Sequence, residues 1–590
     1  MQTDLVSGIE RAYAERSNPI VFALTGRTGS GCTTAAASLS RPFGEIAVSA
    51  EDLAEPERRK LSIALEYARA NWVPFTSITV STIIFSYLLD ESMDHVDAFL
   101  SERQVGKEGR DELSEHLLRL NEHPSCYAFR KAMRDDCLEN EKAAAWDFFA
   151  NVLSPRAVQT RRVLNVQYAP LFQAFGDNIR FSGSTLASKI QSEHLFSLMN
   201  RVCRLVGCIT AHHAARGETK VRVVVDAIRN PLELVYLRNQ IAGLYVVAVT
   251  ADNDERRARL IEAGLSKKDM DALDDKEYEH RGKRSLEDYA TFVSQNLKDC
   301  IQKADIFVAN PGKPGQLVSS VRFMNTQLVR YVALALRPGL VTPTRDERCM
   351  QIAFVAKLNS GCISRQVGAV VADANYSIHS LGWNDTPKGQ TTCLLRDVSA
   401  LLTGNDAESF SDHEKTDTRL RTHLERTFKS RRQLGETHGL RCPFCFKDAY
   451  NAVSGEKNQV HTRSLHAEEN AFLQLAKRGS PGIEGGVLYT TASPCELCSK
   501  KAFQLRIGEI VYVDPYPGIS MTHVLRSGHE NVRPRLRLFS GAVGHAYHRL
   551  YQAILSIKDE YSARLAALDS TDPAHEGAAV ANLNLRLWND

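Results

Sequence analysis

The sequence predicts an α/β protein of at least two domains, and three observations carry that reading. A chain of 590 residues is too long for one hydrophobic core. Its first half alternates short apolar runs with helical stretches. After residues 336–345, which hold two prolines and a glycine, the alternation begins again.

In the first domain, residues 1–340, apolar runs at 19–25, 221–226, 244–250 and 306–309 read as buried strands. A mainly helical insertion spans about 50–215. The second domain, residues 341–550, reads as a helix at 349–358 and strands at 367–372 and 376–382. A polar insertion follows at 385–460, too long for an ordinary connection. Then come a helix at 467–477, a strand at 487–491, a helix at 495–505 and a strand at 510–513. Residues 551–590 are read as a polar tail with one short helix.

Composition narrows the class. Hydrophobic residues make up 43% and charged residues 24%, as in ordinary soluble domains. A net charge of +3 is too mild to mark a nucleic-acid-binding surface. The first ten residues lack the basic start and apolar core of a signal peptide. No run approaches the roughly 18 apolar residues that cross a bilayer. A cytoplasmic location with no membrane partner is expected. Thirteen cysteines are an odd number, so in a reducing compartment paired ones read as metal ligands rather than disulfides. The isolated Cys126, Cys137, Cys203, Cys208 and Cys300 read as small core residues.

Chemistry concentrates at His466-Ala-Glu468, at a predicted helix start, and Pro494-Cys495-Glu-Leu-Cys498 after a predicted strand. This pair is the signature of zinc nucleobase deaminases. Two thiolates spaced by two residues at a helix start can hold one zinc from the same side, where the helix dipole favours their charge. His466 supplies a third ligand, and a fourth position stays open for water, as in catalytic sites. Glu468 is the candidate proton shuttle to the base and the leaving ammonia. The alternative is a structural zinc knuckle with an unrelated His-x-Glu nearby; against it, a predicted strand at 487–491 separates two helices that carry the two halves in the expected order. A second pair, Cys442-Pro-Phe-Cys445, lies in the insertion. With Cys393 or His461 it would close a structural zinc site pinning an otherwise coreless loop; the alternative is a metal-free turn.

The surrounding segments carry a resemblance. Ser360-Gly-Cys-Ile-Ser-Arg365-Gln-Val-Gly-Ala-Val-Val371 and Gly382-Trp-Asn384-Asp-Thr-Pro387-Lys-Gly389 resemble the opening of the deoxycytidylate deaminase family. Cys445-Phe-Lys-Asp, Arg463-Ser-Leu-His466-Ala-Glu-Glu-Asn and Thr491-Ala-Ser-Pro-Cys-Glu-Leu-Cys498 resemble the bacterial anti-phage dCTP deaminases, which also carry an N-terminal P-loop-like domain. The resemblance implies a cytidine-deaminase-like αβα sandwich that converts free dCTP, and also dCMP, to the deoxyuridine nucleotide and so starves phage replication. It implies zinc on His466, Cys495 and Cys498, with Glu468 catalytic and Asn384 on the sugar; Asn384 also reads as a turn residue. Arg365, Lys388 and Arg463 read as phosphate contacts or surface charges. Tyr512 and Tyr516 read as neighbours of the base, Tyr512 equally as core. A homo-oligomer is expected, and by resemblance alone an inhibitory small RNA. Two alternatives keep the chemistry: a housekeeping dCMP deaminase feeding thymidylate synthesis, and an editing deaminase. Editing needs a basic channel with stacking aromatics, which the mild charge does not supply. A third reading, a catalytically dead nucleotide sensor, would not need Glu468.

In the first domain, Gly26-Arg-Thr-Gly29-Ser-Gly31-Cys32-Thr33 lies between a predicted strand and a helix, as in a Walker A loop, with Cys32 in the lysine position. Gly26, Gly29, Gly31 and Thr33 are candidate cofactor-binding residues, because such a loop turns backbone N–H groups and a helix start toward phosphate. What is missing is the cation that follows charge during phosphoryl transfer. Asp226 is the candidate acidic partner. Asp226-Ala-Ile-Arg229-Asn-Pro-Leu-Glu233 and Lys303-Ala-Asp-Ile-Phe-Val-Ala-Asn310 resemble dephospho-coenzyme A and adenylate kinases, implying a P-loop NTPase or nucleotide-kinase-like domain. Three readings stand: a module binding a regulatory nucleotide, an active kinase, or a scaffold that has lost both roles.

Overall fold

The computed structural model describes all residues except 1, 52, 135–136, 275–276, 278–293, 313–316, 480–481, 515–518 and 570–590. The chain divides into two compact units, the described residues of Met1–Thr342 with His548–Asp590, and Pro343–Tyr547.

The first unit holds β1 (Ile20–Thr25), α1 (Cys32–Leu39), β2 (Thr76–Thr79), β3 (Arg222–Asp226), β4 (Leu244–Thr250), α2 (Asn253–Glu262) and β5 (Ile306–Ala309). Its strands lie in the order β5-β4-β1-β3-β2, and every neighbouring pair is parallel. β1, β3 and β4 are buried at every position. That is why they read as mainly apolar runs. β2 escaped the sequence reading because only Ile78 of its four residues is buried. Helices occupy most of the region between β2 and β3.

Residues 557–569, expected in a tail, form the helix Ile557–Asp569 and pack within this unit. Tyr13 Oη donates to Glu560 Oε2 at 3.0 Å, and Arg337 and Arg564 pair with the same carboxylate, which is 2% exposed. A stretch that reads as a polar tail is tied down through one buried carboxylate. The rest of that expected tail, 570–590, lies outside the described residues.

The second unit holds α3 (Arg345–Ala356), β6 (Gly368–Ala372), β7 (Ile378–Trp383), α4 (Ala467–Arg478), β8 (Val487–Thr490), α5 (Glu496–Gln504), β9 (Glu509–Tyr512) and β10 (Arg535–Leu538). The sheet order is β10-β9-β8-β6-β7. β10, β9 and β8 run parallel, while β6 is antiparallel to both β8 and β7. A parallel pair needs a crossover, and α5 supplies it between β8 and β9. Thr344 caps α3 by accepting the Glu347 N–H at 3.2 Å, and the Glu347 carboxylate accepts the Thr344 N–H at 2.8 Å. β10 was unforeseen because Arg535-Leu-Arg-Leu is nowhere fully buried.

The core gathers Ala369 and Val371 of β6, Ala467 and Ala471 of α4, Leu488 of β8 and Ile510 of β9. α4 can lie against β7 because position 382 is glycine. A Cβ there would stand 2.2 Å from the Ala467 carbonyl oxygen and 2.5 Å from the Ala471 nitrogen. The insertion differs from the coreless loop expected. Its helices Val398–Thr403, Thr418–His438 and Phe446–Ser454 enclose Val398, Leu401, Phe410, Leu420, Leu424 and Phe444. Arg396 and Glu414 form a fully buried ion pair there, with the guanidinium 4.7 Å from the ring centroids of both Phe410 and Phe444. Among the described residues, no helix is long and apolar enough to cross a membrane.

The close seat of α4 sets a test. Gly382→Val places carbon against helix backbone and should destabilise the second unit by about 2 kcal/mol or more. Calorimetry of the purified chain reads this as a lowered transition, and an unshifted thermogram would contradict the seat.

Candidate active site

Two helix starts converge here. Cys495 is the N-cap of α5, with Cys498 in its first turn, and His466 is the N-cap of α4. The Leu465 N–H donates to the Asp385 carbonyl at 2.8 Å, which ties the approach to α4 against the chain leaving β7. The His466 N–H is received by Glu469 Oε2 at 3.4 Å, and the His466 side chain makes no cap bond. The imidazole therefore faces the sulfurs. Its Nδ1 lies 3.2 Å from Cys495 Sγ and 3.5 Å from Cys498 Sγ. All three ligand atoms fall within 4.8 Å of one another. One imidazole nitrogen and two soft sulfurs at this spacing fit a single zinc ion and leave one position for water. The Cys498 thiol and the imidazole both hydrogen-bond Cys495, holding its thiol well below the ordinary range.

Glu468 lies in the first turn of α4 and is 4% exposed. Burial pushes its carboxyl above the ordinary carboxylate range. The Thr490 hydroxyl, at the end of β8, sits 3.0 Å from Glu468 Oε1 and 2.7 Å from the Ala492 carbonyl oxygen. It can donate its one proton to the carboxylate, or donate to Ala492 and accept from the protonated acid. The pocket therefore accommodates both forms of a carboxyl that carries protons.

The site lies within a segment that matches known proteins. A family model described as the cytidine and deoxycytidylate deaminase zinc-binding region matches residues 343–514. The deoxycytidylate deaminase of Enterobacteria phage T4 is 32% identical over 177 residues, covering 28% of this chain and 76% of that enzyme. The chain belongs to the deoxycytidylate deaminase family. A deoxycytidylate deaminase from Schizosaccharomyces pombe is 30% identical over 182 residues, 31% of this chain and 40% of that protein. A solved structure, dCMP deaminase from the cyanophage S-TIM5 in complex with dCMP and dUMP, is 22% identical and covers 34% of this chain and 99% of its own, with a TM-score of 0.21.

Around the deaminase centre, the other candidates separate. Asn384 is 8% exposed, and its amide pins the preceding loop: Oδ1 accepts the Val367 N–H and Nδ2 donates to the Arg365 carbonyl, both at 2.7 Å. One amide hydrogen is left for a further acceptor. Arg365 pairs at 2.7 Å with the fully buried Asp514, a residue the sequence reading missed. Lys388 is exposed, whereas Arg463 is half-buried. Tyr512 packs in the core at 5% exposure, and Tyr516 lies outside the described residues. Cys442 is buried in the insertion's own core. Among the described residues, the gathered metal-ligand set contains neither it nor Cys445. Thr490 was also missed; its only sequence signal is a polar residue closing an apolar strand.

In the first unit, Gly26, Gly29, Gly31 and Thr33 line one cavity of about 380 Å³ with Cys32 and Asp226. Gly31 caps α1 at φ 111°, and a Cβ there would meet Asn310 Nδ2 at 2.4 Å. Thr33 Oγ1 donates to Asp226 Oδ2 at 2.9 Å. Burial pushes the Cys32 thiol up to about 12, so it is uncharged at neutral pH.

Two results should follow for the deaminase. Cys495→Ser or His466→Ala should take bound zinc from about one per chain to well below half of that after dialysis, by elemental analysis; full occupancy would contradict the ligand set. Thr490→Val should lower kcat about tenfold with KM little changed, and an equal rise in KM alone would assign Thr490 to binding instead.

Proposed function

We propose that the chain hydrolyses the 4-amino group of a free deoxycytidine nucleotide, with Glu468, buried beside His466, Cys495 and Cys498, as the group that moves the protons. That placement is the observation that carries the reading. Zinc on the three ligands supplies the Lewis acidity that makes water nucleophilic near neutral pH. Glu468 carries the first proton of the water to ring N3 and then the proton of the added hydroxyl to the departing amine. Water and the cytosine ring become the uracil ring and ammonia. Asn384 offers its remaining amide hydrogen to the sugar.

Similarity to the phage and yeast deoxycytidylate deaminases supports dCMP as a substrate. The segments 445–448, 463–470 and 491–498 support dCTP, whose depletion would act as anti-phage defence. The cavity at the Gly26–Thr33 loop supports a regulatory nucleotide in the first unit, since it holds glycines, a helix start and a buried carboxylate together. A housekeeping dCMP deaminase is the second reading, favoured by the same similarities; the ratio of kcat/KM for dCTP and dCMP separates the two.

Ammonia release should be seen from dCTP or dCMP and not from single-stranded DNA. Glu468→Ala should lose about 10²–10⁴ in kcat while keeping its zinc. Turnover of DNA alone would overturn the substrate class, and undiminished turnover by Glu468→Ala would overturn the mechanism.

A further inference from the structure

The lysine absent from the Gly26–Thr33 loop leaves a question of charge. A phosphate chain needs a cation there, and Cys32 is a buried neutral thiol. Besides Arg27 of the loop itself, whose guanidinium is paired with Asp274 at 2.8 Å, three arginines line the cavity: Arg161, Arg229 and Arg259. Two are committed to the protein. Arg229 donates to Glu277 Oε1 at 2.9 Å and to Thr28 Oγ1 at 3.1 Å. Arg259, on α2, donates to the Asn310 carbonyl at 2.7 Å and more weakly to those of Gly312 and Gly29. Arg161 differs. It sits in the last turn of the helix Ser154–Leu164, is exposed, and its side chain has no hydrogen-bonded partner among the described residues. Its guanidinium rests 5.5 Å from the Tyr168 ring centroid, an arrangement that steadies the head while leaving its donors open.

A second observation marks the cavity as a ligand site. Asp226 is 8% exposed and lines it, and its Oδ1 is buried without a hydrogen-bond partner while Oδ2 receives the Thr33 hydroxyl. A buried carboxylate oxygen with nothing to accept is costly unless a cation or donor completes it. A divalent ion accompanying a phosphate chain would do so.

We propose that Arg161 is the phosphate-holding cation of this cavity for a nucleoside triphosphate, standing in for the lysine that Cys32 replaces. The inference rests on the reading of the cavity as a regulatory nucleotide site. It gives the helical segment between β2 and β3 a role, because that segment carries the missing charge to the loop. The fork of a guanidinium also suits two phosphate oxygens at once.

The test is titration calorimetry of the full chain with the magnesium complexes of ATP, dTTP and inorganic tripolyphosphate, the last probing the phosphate contact without a base. Wild type should bind at least one of them. Arg161→Ala should weaken that binding about tenfold or more, with an unshifted melting transition, as expected for an exposed side chain. Adding Cys32→Lys to Arg161→Ala should recover most of the loss. Wild-type affinity in Arg161→Ala would overturn the assignment of Arg161 and leave the nucleotide site standing. No binding of any of the three by wild type at millimolar ligand would overturn both.

Discussion

The meeting of His466 Nδ1 with the sulfurs of Cys495 and Cys498 is the contact on which the catalytic unit depends. The two sulfurs come together almost for free, since residues three apart share one helical turn. The imidazole is 29 positions away from Cys495 in sequence, and only tertiary packing delivers it. That packing is made of small residues. Ala467 and Ala471 press α4 onto β7 at a glycine, and Ala369 and Ala502 fill the layers beneath. Larger side chains at these places would lift the helix and carry the third ligand out of reach.

The same architecture arranges the charges. Cys495 and Cys498 lie at the start of α5, and Glu468 and Glu469 in the first turn of α4, so all four sit where helix dipoles favour negative groups. Burial works against Glu468 and raises its affinity for a proton. A carboxyl caught between these influences, with a hydroxyl that serves it in either state, is suited to give and take protons. The first unit poses the opposite problem, a helix start and a buried Asp226 without the expected lysine, and its open guanidinium comes from a distant helical segment.

How much of this could be read from the chain follows from the range of each interaction. His466, Glu468, Cys495 and Cys498 were legible because their chemistry is written in spacings of two or three residues. The buried strands of both sheets were legible as apolar runs, each within a residue or two of its ends. Thr490 and Asp514 were not, because a threonine closing a strand and an aspartate after one acquire roles only through partners far along the chain. β2 and β10 carry too few buried residues to announce themselves. The insertion looked coreless because its apolar residues are divided among short helices, and its core is closed by the Arg396–Glu414 pair between two phenylalanines. Tyr512 admitted two readings, and the fold places it in the core.

The catalytic unit stands or falls on one zinc ion held by two sulfurs and one nitrogen with a position left for water. X-ray absorption at the zinc edge of the purified chain measures that shell directly. Two sulfurs at about 2.3 Å with two lighter donors at about 2.0–2.1 Å are expected. A shell of four sulfurs, or one without sulfur, would contradict it.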